Sequence, residues 1–187
     1  MEVNLRGPRF RTEMTPIGFR AEVPARRNLF VIVFLLIWLG GWGFGETGVS
    51  KQLQHPGPKT PVGFLSFWIV GWTIGGALAA ATIVWELAGR EVVIIDPQML
   101  TLRVEALGIG HSRSFRATEL KLLRVSPYVT SAFQNRRITF PPIFGTGYGP
   151  VAFDYGARTF RFASALGEAE ARMLIDQMAS HLPRTVE

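Results

Sequence analysis

His55, His111 and His181 are the only histidines of this 187-residue chain, and there is no cysteine. A metal site needs ligands that converge, and no histidine has a partner at a spacing such as i, i+4. Without cysteine there are no disulfides, thiolate nucleophiles, iron–sulfur clusters or Cys-ligated zinc. His111 stands beside Ser112, but no acidic residue lies near in sequence and Gly-x-Ser-x-Gly is absent. Asp154 has Asp176 and Glu119 as candidate carboxylate partners, which sequence cannot bring together. Gly145-x-Gly147-x-Gly149 lacks the following Lys-Ser/Thr of a phosphate loop, and no helix start follows it. The expectation is a chain with no catalytic residue, no cofactor and no metal.

Two apolar segments dominate the elements that would position anything else. Leu29–Phe44 and Val62–Trp85 contain no charged residue. A helix rises ~1.5 Å per residue and the hydrocarbon core is ~30 Å thick, so about 20 residues cross it. The second segment is long enough; the first is short and needs its Gly- and Trp-rich end. The 27 residues ahead of it, with six Arg and three Glu, do not make a signal-peptide n-region, and no small-x-small cleavage site follows. A two-helix transmembrane hairpin (28–45 and 62–87) with a short external linker is expected, after an extended N-terminal arm (1–27) containing Pro8, Pro16 and Pro24.

The net charge of +6 is spread along the chain. Arg26 and Arg27 abut the first segment and Arg90 follows the second, the positive-inside pattern. Both termini are therefore expected in the cytoplasm, with basic flanks against anionic lipid rather than nucleic acid. Gly63, Gly71, Gly75 and Ala79 form a small-residue stripe on the second helix, which Gly76 and Ala80 widen. Four-residue spacing lets another helix approach closely; that partner is the first helix, a second copy or another membrane protein.

Residues 88–183 read as a β domain closed by a helix. Glu91–Asp96 is a short apolar strand, and Leu100–Ala106 alternates as a half-buried one. Ser112–Arg116, Leu120–Val125 and Arg136–Phe140 follow, then a Val151–Tyr155 and Arg158–Phe162 hairpin about Gly156-Ala157. Ala171, Leu174, Ile175, Met178 and Leu182 recur with helical period, with Ser164 as N-cap and Pro183 as stop. The fold class expected is a membrane α-helical hairpin plus an α+β domain of six or seven antiparallel strands.

Trp85-Glu-Leu-Ala-Gly-Arg-Glu-Val-Val-Ile-Ile-Asp96 runs from helix to strand almost without a linker. With Leu100-Thr-Leu-Arg103 and Phe153-Asp-Tyr-Gly-Ala-Arg-Thr-Phe-Arg-Phe162 ahead of Glu168-Ala-Glu-Ala171, this order resembles the bacterial pleckstrin-homology-like (bPH) membrane proteins. The resemblance covers residues 28–183. It implies a partly open PH-like β barrel or sandwich, plugged at one end by the C-terminal amphipathic helix. It also implies a bacterial inner membrane location and binding or scaffolding rather than catalysis. A basic lipid-binding motif between the first strands is absent, since Arg103 stands alone there.

Pro141–Pro150 puts apolar and aromatic residues on a Gly/Pro backbone, so Phe140, Ile143, Phe144 and Tyr148 are candidate contacts with a partner or the bilayer. Arg26, Arg27, Arg90, Arg136 and Arg137 are candidate headgroup contacts. The expected function is a non-enzymatic integral membrane protein, an accessory subunit, scaffold or assembly factor. Its β domain would dock on another membrane protein or larger complex, respiratory and photosynthetic complexes being among the candidates. The alternative is an anionic-lipid-binding sensor. Expected partners are membrane lipids and a membrane protein.

Overall fold

The computed structural model describes residues 7–126 and 149–183. The chain divides into a β unit, up to Arg26 and from Ala88 onward, and a helical unit, Arg27–Leu87.

The helical unit is an antiparallel pair, α1 (Leu29–Gln54) and α2 (Val62–Ala88), each long and apolar enough to cross a membrane. At ~1.5 Å per residue they run about 39 and 40 Å. The first helix is thus not the short one its hydropathy suggested. Apolarity fades after Phe44, but nothing forbids helix until His55-Pro56, where proline stops it. The linker shrinks to residues 55–61, and Glu46 lies on α1, its Oε1 2.7 Å from the Thr73 hydroxyl. Asn28 caps α1 by accepting from the Val31 N–H.

The β unit contains eight strands in two antiparallel sheets among the described residues. Five form one sheet in chain order: β1 (Arg11–Thr15), β2 (Gly18–Pro24), β3 (Gly89–Ile95), β4 (Met99–Ala106) and β5 (Ile109–Arg116). The other holds β6 (Leu120–Val125), β7 (Val151–Tyr155) and β8 (Arg158–Phe162). The residues expected to form an extended arm thus supply two strands. Phe19, Ala21 and Val23 alternate inward while Arg20 and Glu22 face out, the period-2 signature of a half-buried strand. The prolines fall where a sheet tolerates them, Pro16 in the turn and Pro24 at the strand end. Gly18, at φ +140°, backs onto the Ile95 carbonyl, where any Cβ would overlap it.

β2 pairs with β3 from Phe19↔Ile95 to Pro24↔Arg90, so α1 and α2 are an insertion between two neighbouring strands. The two sheets and α3 (Glu168–Ala179) bury one core in which Ile95, Leu100, Phe153, Phe162, Leu174 and Met178 are sealed from solvent. Burying each such side chain contributes ~1.5–3 kcal/mol. The Phe115 ring meets Phe153 edge-on at 5.1 Å across the sheets. Among the described residues the sheets do not close into a barrel. The expected strand Arg136–Phe140 lies outside those residues.

The N-cap of α3 is Gly167 rather than Ser164: the Glu170 carboxylate accepts from the Gly167 N–H at 3.0 Å. Ser164 is engaged elsewhere, with Glu91.

Candidate functional site

The helical pair closes on tryptophan. The Trp42 Nε1–H donates to the Trp72 carbonyl at 2.9 Å, and the Trp72 Nε1–H returns to the Trp42 carbonyl at 3.3 Å. Trp72 stacks on Trp68 at 4.4 Å. The glycine that admits this is Gly76, where an added Cβ would overlap the Trp42 indole. Gly63, Gly71 and Gly75 face open space, with nothing within 4 Å of a Cβ. Of Gly63, Gly71, Gly75 and Ala79, only Ala79 is buried. Within the expected stripe α1 packs at the edge that Gly76 widens, since Gly76 sits ~100° around the helix from Gly75. The Gly71/Gly75 face therefore takes no part in closing the hairpin.

The start of α1 and the end of α2 are tied by polar groups. Glu86 Oε2 accepts from the Asn28 N–H at 2.7 Å, and the Arg27 guanidinium donates to the Leu87 carbonyl at 3.3 Å. Arg26 is exposed. Arg90 belongs to the β unit, where it bonds Glu105 at 2.6 Å and lies 3.6 Å from Glu22. Arg103 shares Glu105 at 2.5 Å, and Arg20 pairs with Glu22 and Glu13. These charges alternate across β1 to β4 on the outer face of the sheet. Arg20, Arg90, Arg103 and Glu105 line a cavity of about 260 Å³ together with Val92 and Ile94. Its three guanidiniums are matched by three carboxylates, so it is an ion-pair lattice rather than an open anion cradle.

Glu91 turns its carboxylate into the core face, on the same side of β3 as Val93 and Ile95. Its Oε2 accepts from the Ala163 N–H at 2.7 Å; its Oε1 accepts from the Ser164 N–H at 2.8 Å and from the Ser164 hydroxyl. Burial raises its carboxyl above the ordinary glutamate value of 4.5, against the opposing pull of the Ser164 hydroxyl and the two amides. Ala163 is itself in the left-handed region, at φ +62°, which costs a residue with a Cβ ~1–2 kcal/mol. Glu91 thus latches the strained β8–α3 connection to the strand that follows α2.

No acid–base pair emerges from the sequence candidates. Asp154 is held by Arg124 at 2.9 and 3.1 Å and by the Thr159 hydroxyl at 2.6 Å, which together lower its carboxyl below the usual range. His111 and Ser112 are successive residues of β5 and so point to opposite faces. His181 stacks on Phe19 at 4.8 Å, and His55 ends α1. Among the described residues no three His, Asp or Glu gather as metal ligands. Phe140, Ile143, Phe144, Tyr148, Arg136 and Arg137 lie outside the described residues, as does most of the Gly145–Gly149 run. The polar latch at Glu91 is not among the sequence candidates; an acidic residue opening an apolar strand is its only local mark.

No family model, curated protein or solved structure matches the chain.

Proposed function

We propose that this is a two-pass membrane protein whose β domain is a non-enzymatic docking platform, held at the membrane face for another membrane protein or larger complex. The observation that carries the reading is the insertion of α1 and α2 between the paired strands β2 and β3. Strands that pair must share a compartment, so the two ends of an inserted hairpin leave the membrane on the same side. Only residues 25–28 separate β2 from α1, and no residue separates α2 from β3. A domain on such short tethers works at the surface that anchors it. The basic flanks Arg26, Arg27 and Arg90 favour the cytoplasmic side, and the bPH-like sequence resemblance of residues 28–183 favours the bacterial inner membrane, although β1 and β2 precede the helices.

The open Gly71/Gly75 face offers a partner helix a close approach within the bilayer. The test is native electrophoresis of the full-length protein after mild detergent extraction from its own membranes. Co-migration with a larger complex is expected, and Gly75→Leu should abolish it while leaving the α1–α2 pair intact. Migration of the wild type as a bare monomer or small homo-oligomer would overturn the docking role.

A further inference from the structure

The β4–β5 hairpin ends in two apolar side chains that its own folding does not call for. Leu107 and Gly108 join the strands with φ +54° and +82°, the two positive values of a type I′ turn. Such turns favour Asn-Gly, Asp-Gly or Gly-Gly, and leucine is a costly choice at the first position. Leu107 is nonetheless 73% exposed and Ile109 is 82% exposed, so neither side chain gains by burial in the domain.

The position of this tip along the chain is what gives it meaning. Ala106 pairs with Gly89, the first residue of β3, and Gly89 directly follows the last residue of α2. Chain geometry alone therefore holds the Leu107 Cα within about 13 Å of the Cα of Ala88. If α2 spans the bilayer, Ala88 lies at headgroup depth, because a helix of about 40 Å exceeds the ~30 Å hydrocarbon core. Behind the tip along the strands lie Arg103, neutralised by Glu105, and exposed Arg113, with His111 between Ile109 and Arg113 on β5. An apolar tip with exposed Arg113 four residues behind Ile109 suits a bilayer interface, where side chains bury carbon and keep charge among phosphates.

We propose that the Leu107–Ile109 tip enters the headgroup layer of the leaflet facing the β domain, with the bilayer as its partner, as a third attachment beside α1 and α2. The inference rests on reading α1 and α2 as membrane spans, and the test separates the two. Because the chain has no cysteine, single cysteines can be placed in the full-length protein as Ile109→Cys, Ile17→Cys and Phe44→Cys. Each is labelled with an environment-sensitive fluorophore in vesicles of phosphatidylcholine and phosphatidylglycerol carrying a shallow nitroxide lipid. Ile17 is 65% exposed in the β1–β2 turn, at the strand ends remote from Gly89, and Phe44 is 82% exposed on α1. The Ile109 and Phe44 labels should lose most of their emission and the Ile17 label should keep it. An Ile109 label as unquenched as Ile17, beside a quenched Phe44, would overturn the tip and leave the membrane hairpin standing. An unquenched Phe44 label would overturn both.

Discussion

Removing the Glu91 carboxylate should cost the β domain a large part of its stability. In Glu91→Ala, the Ala163 N–H, fully buried, and the half-buried Ser164 N–H lose their acceptor. An orphaned buried donor costs ~1–3 kcal/mol, and relief of the buried charge offsets some of that, so the net loss is about 2–4 kcal/mol. Against a domain stability of ~5–15 kcal/mol this is a substantial share. At roughly 3–6 °C per kcal/mol, the melting point should fall by at least about 6 °C. Ser164→Ala removes only the hydroxyl donor and should cost ~0.5–1.5 kcal/mol. Ala163→Gly relieves the left-handed alanine and should recover part of the loss in the Glu91→Ala background. The pH dependence has a definite sign. Burial raises the folded carboxyl above 4.5, so the folded state binds the proton more tightly than the unfolded chain. The proton-linked part of the Glu91 contribution is therefore fully present below 4.5 and is lost as pH rises through the raised value, while the acceptor role toward Ala163 and Ser164 persists. Glu91→Gln should flatten that segment of the stability profile. The assay is thermal unfolding of the full-length protein in detergent, followed by circular dichroism of the β signal across acidic to neutral pH. A Glu91→Ala protein melting within about 2 °C of wild type, with an unchanged profile, would refute the latch.

Gly75→Ala and Gly76→Ala are neighbouring, chemically identical changes with opposite expected results. At Gly76 the methyl meets the Trp42 indole, pinned by its bond to the Trp72 carbonyl, and overpacking of this kind costs ~1–3 kcal/mol. At Gly75 the methyl enters open space and gains up to ~1 kcal/mol of helix propensity. Tryptophan emission during an SDS titration should report early separation of the helices only for Gly76→Ala; equal midpoints would refute the packing. Residues 88–187 produced alone should not give a cooperative melt, because β3 loses its β2 neighbour and the core loses Phe19, Ala21 and Val23. Joining residues 7–26 to 88–187 by a short turn should restore it, and a sharp melt of the bare fragment would refute the role of the N-terminal strands.

The C-terminal half of the β unit was the most legible part of the sequence, for a local reason. The β7–β8 hairpin and α3 each carry one strong period, and the helical positions Ala171, Leu174 and Met178 are the ones sealed in the core. The failures share a different cause. The strand pattern of Phe19–Val23 was present, but one of its two partner strands, β3, lies about seventy residues on, and three prolines suggested an arm. Hydropathy located α1 but not its end, because apolarity and helicity are separate properties and only Pro56 stops the helix. Glycine spacing on α2 marked a face without saying which face met α1. Glu91 needed knowledge that Ala163 and Ser164 would arrive with donors pointing inward, which no local pattern contains.

The insertion of the helices into the sheet also orders the folding problem. Pairing β2 with β3 closes a segment of some sixty residues, and as a flexible loop this would cost ~3–4 kcal/mol before any contact formed. The helical unit removes most of that cost by holding its own ends together, with the Asn28 N–H on Glu86 Oε2 and Arg27 on the Leu87 carbonyl. Once α1 and α2 have packed through Trp42, Trp72 and Gly76, residues 25–28 and 88–89 emerge as neighbours, and the first rung, from the Ala25 N–H to the Gly89 carbonyl at 2.9 Å, is already in reach. The sheet can then zip outward from that rung toward Phe19 and Ile95. Closed at its own ends, the helical pair thus brings β2 and β3, adjacent strands of the five-stranded sheet, within reach of each other.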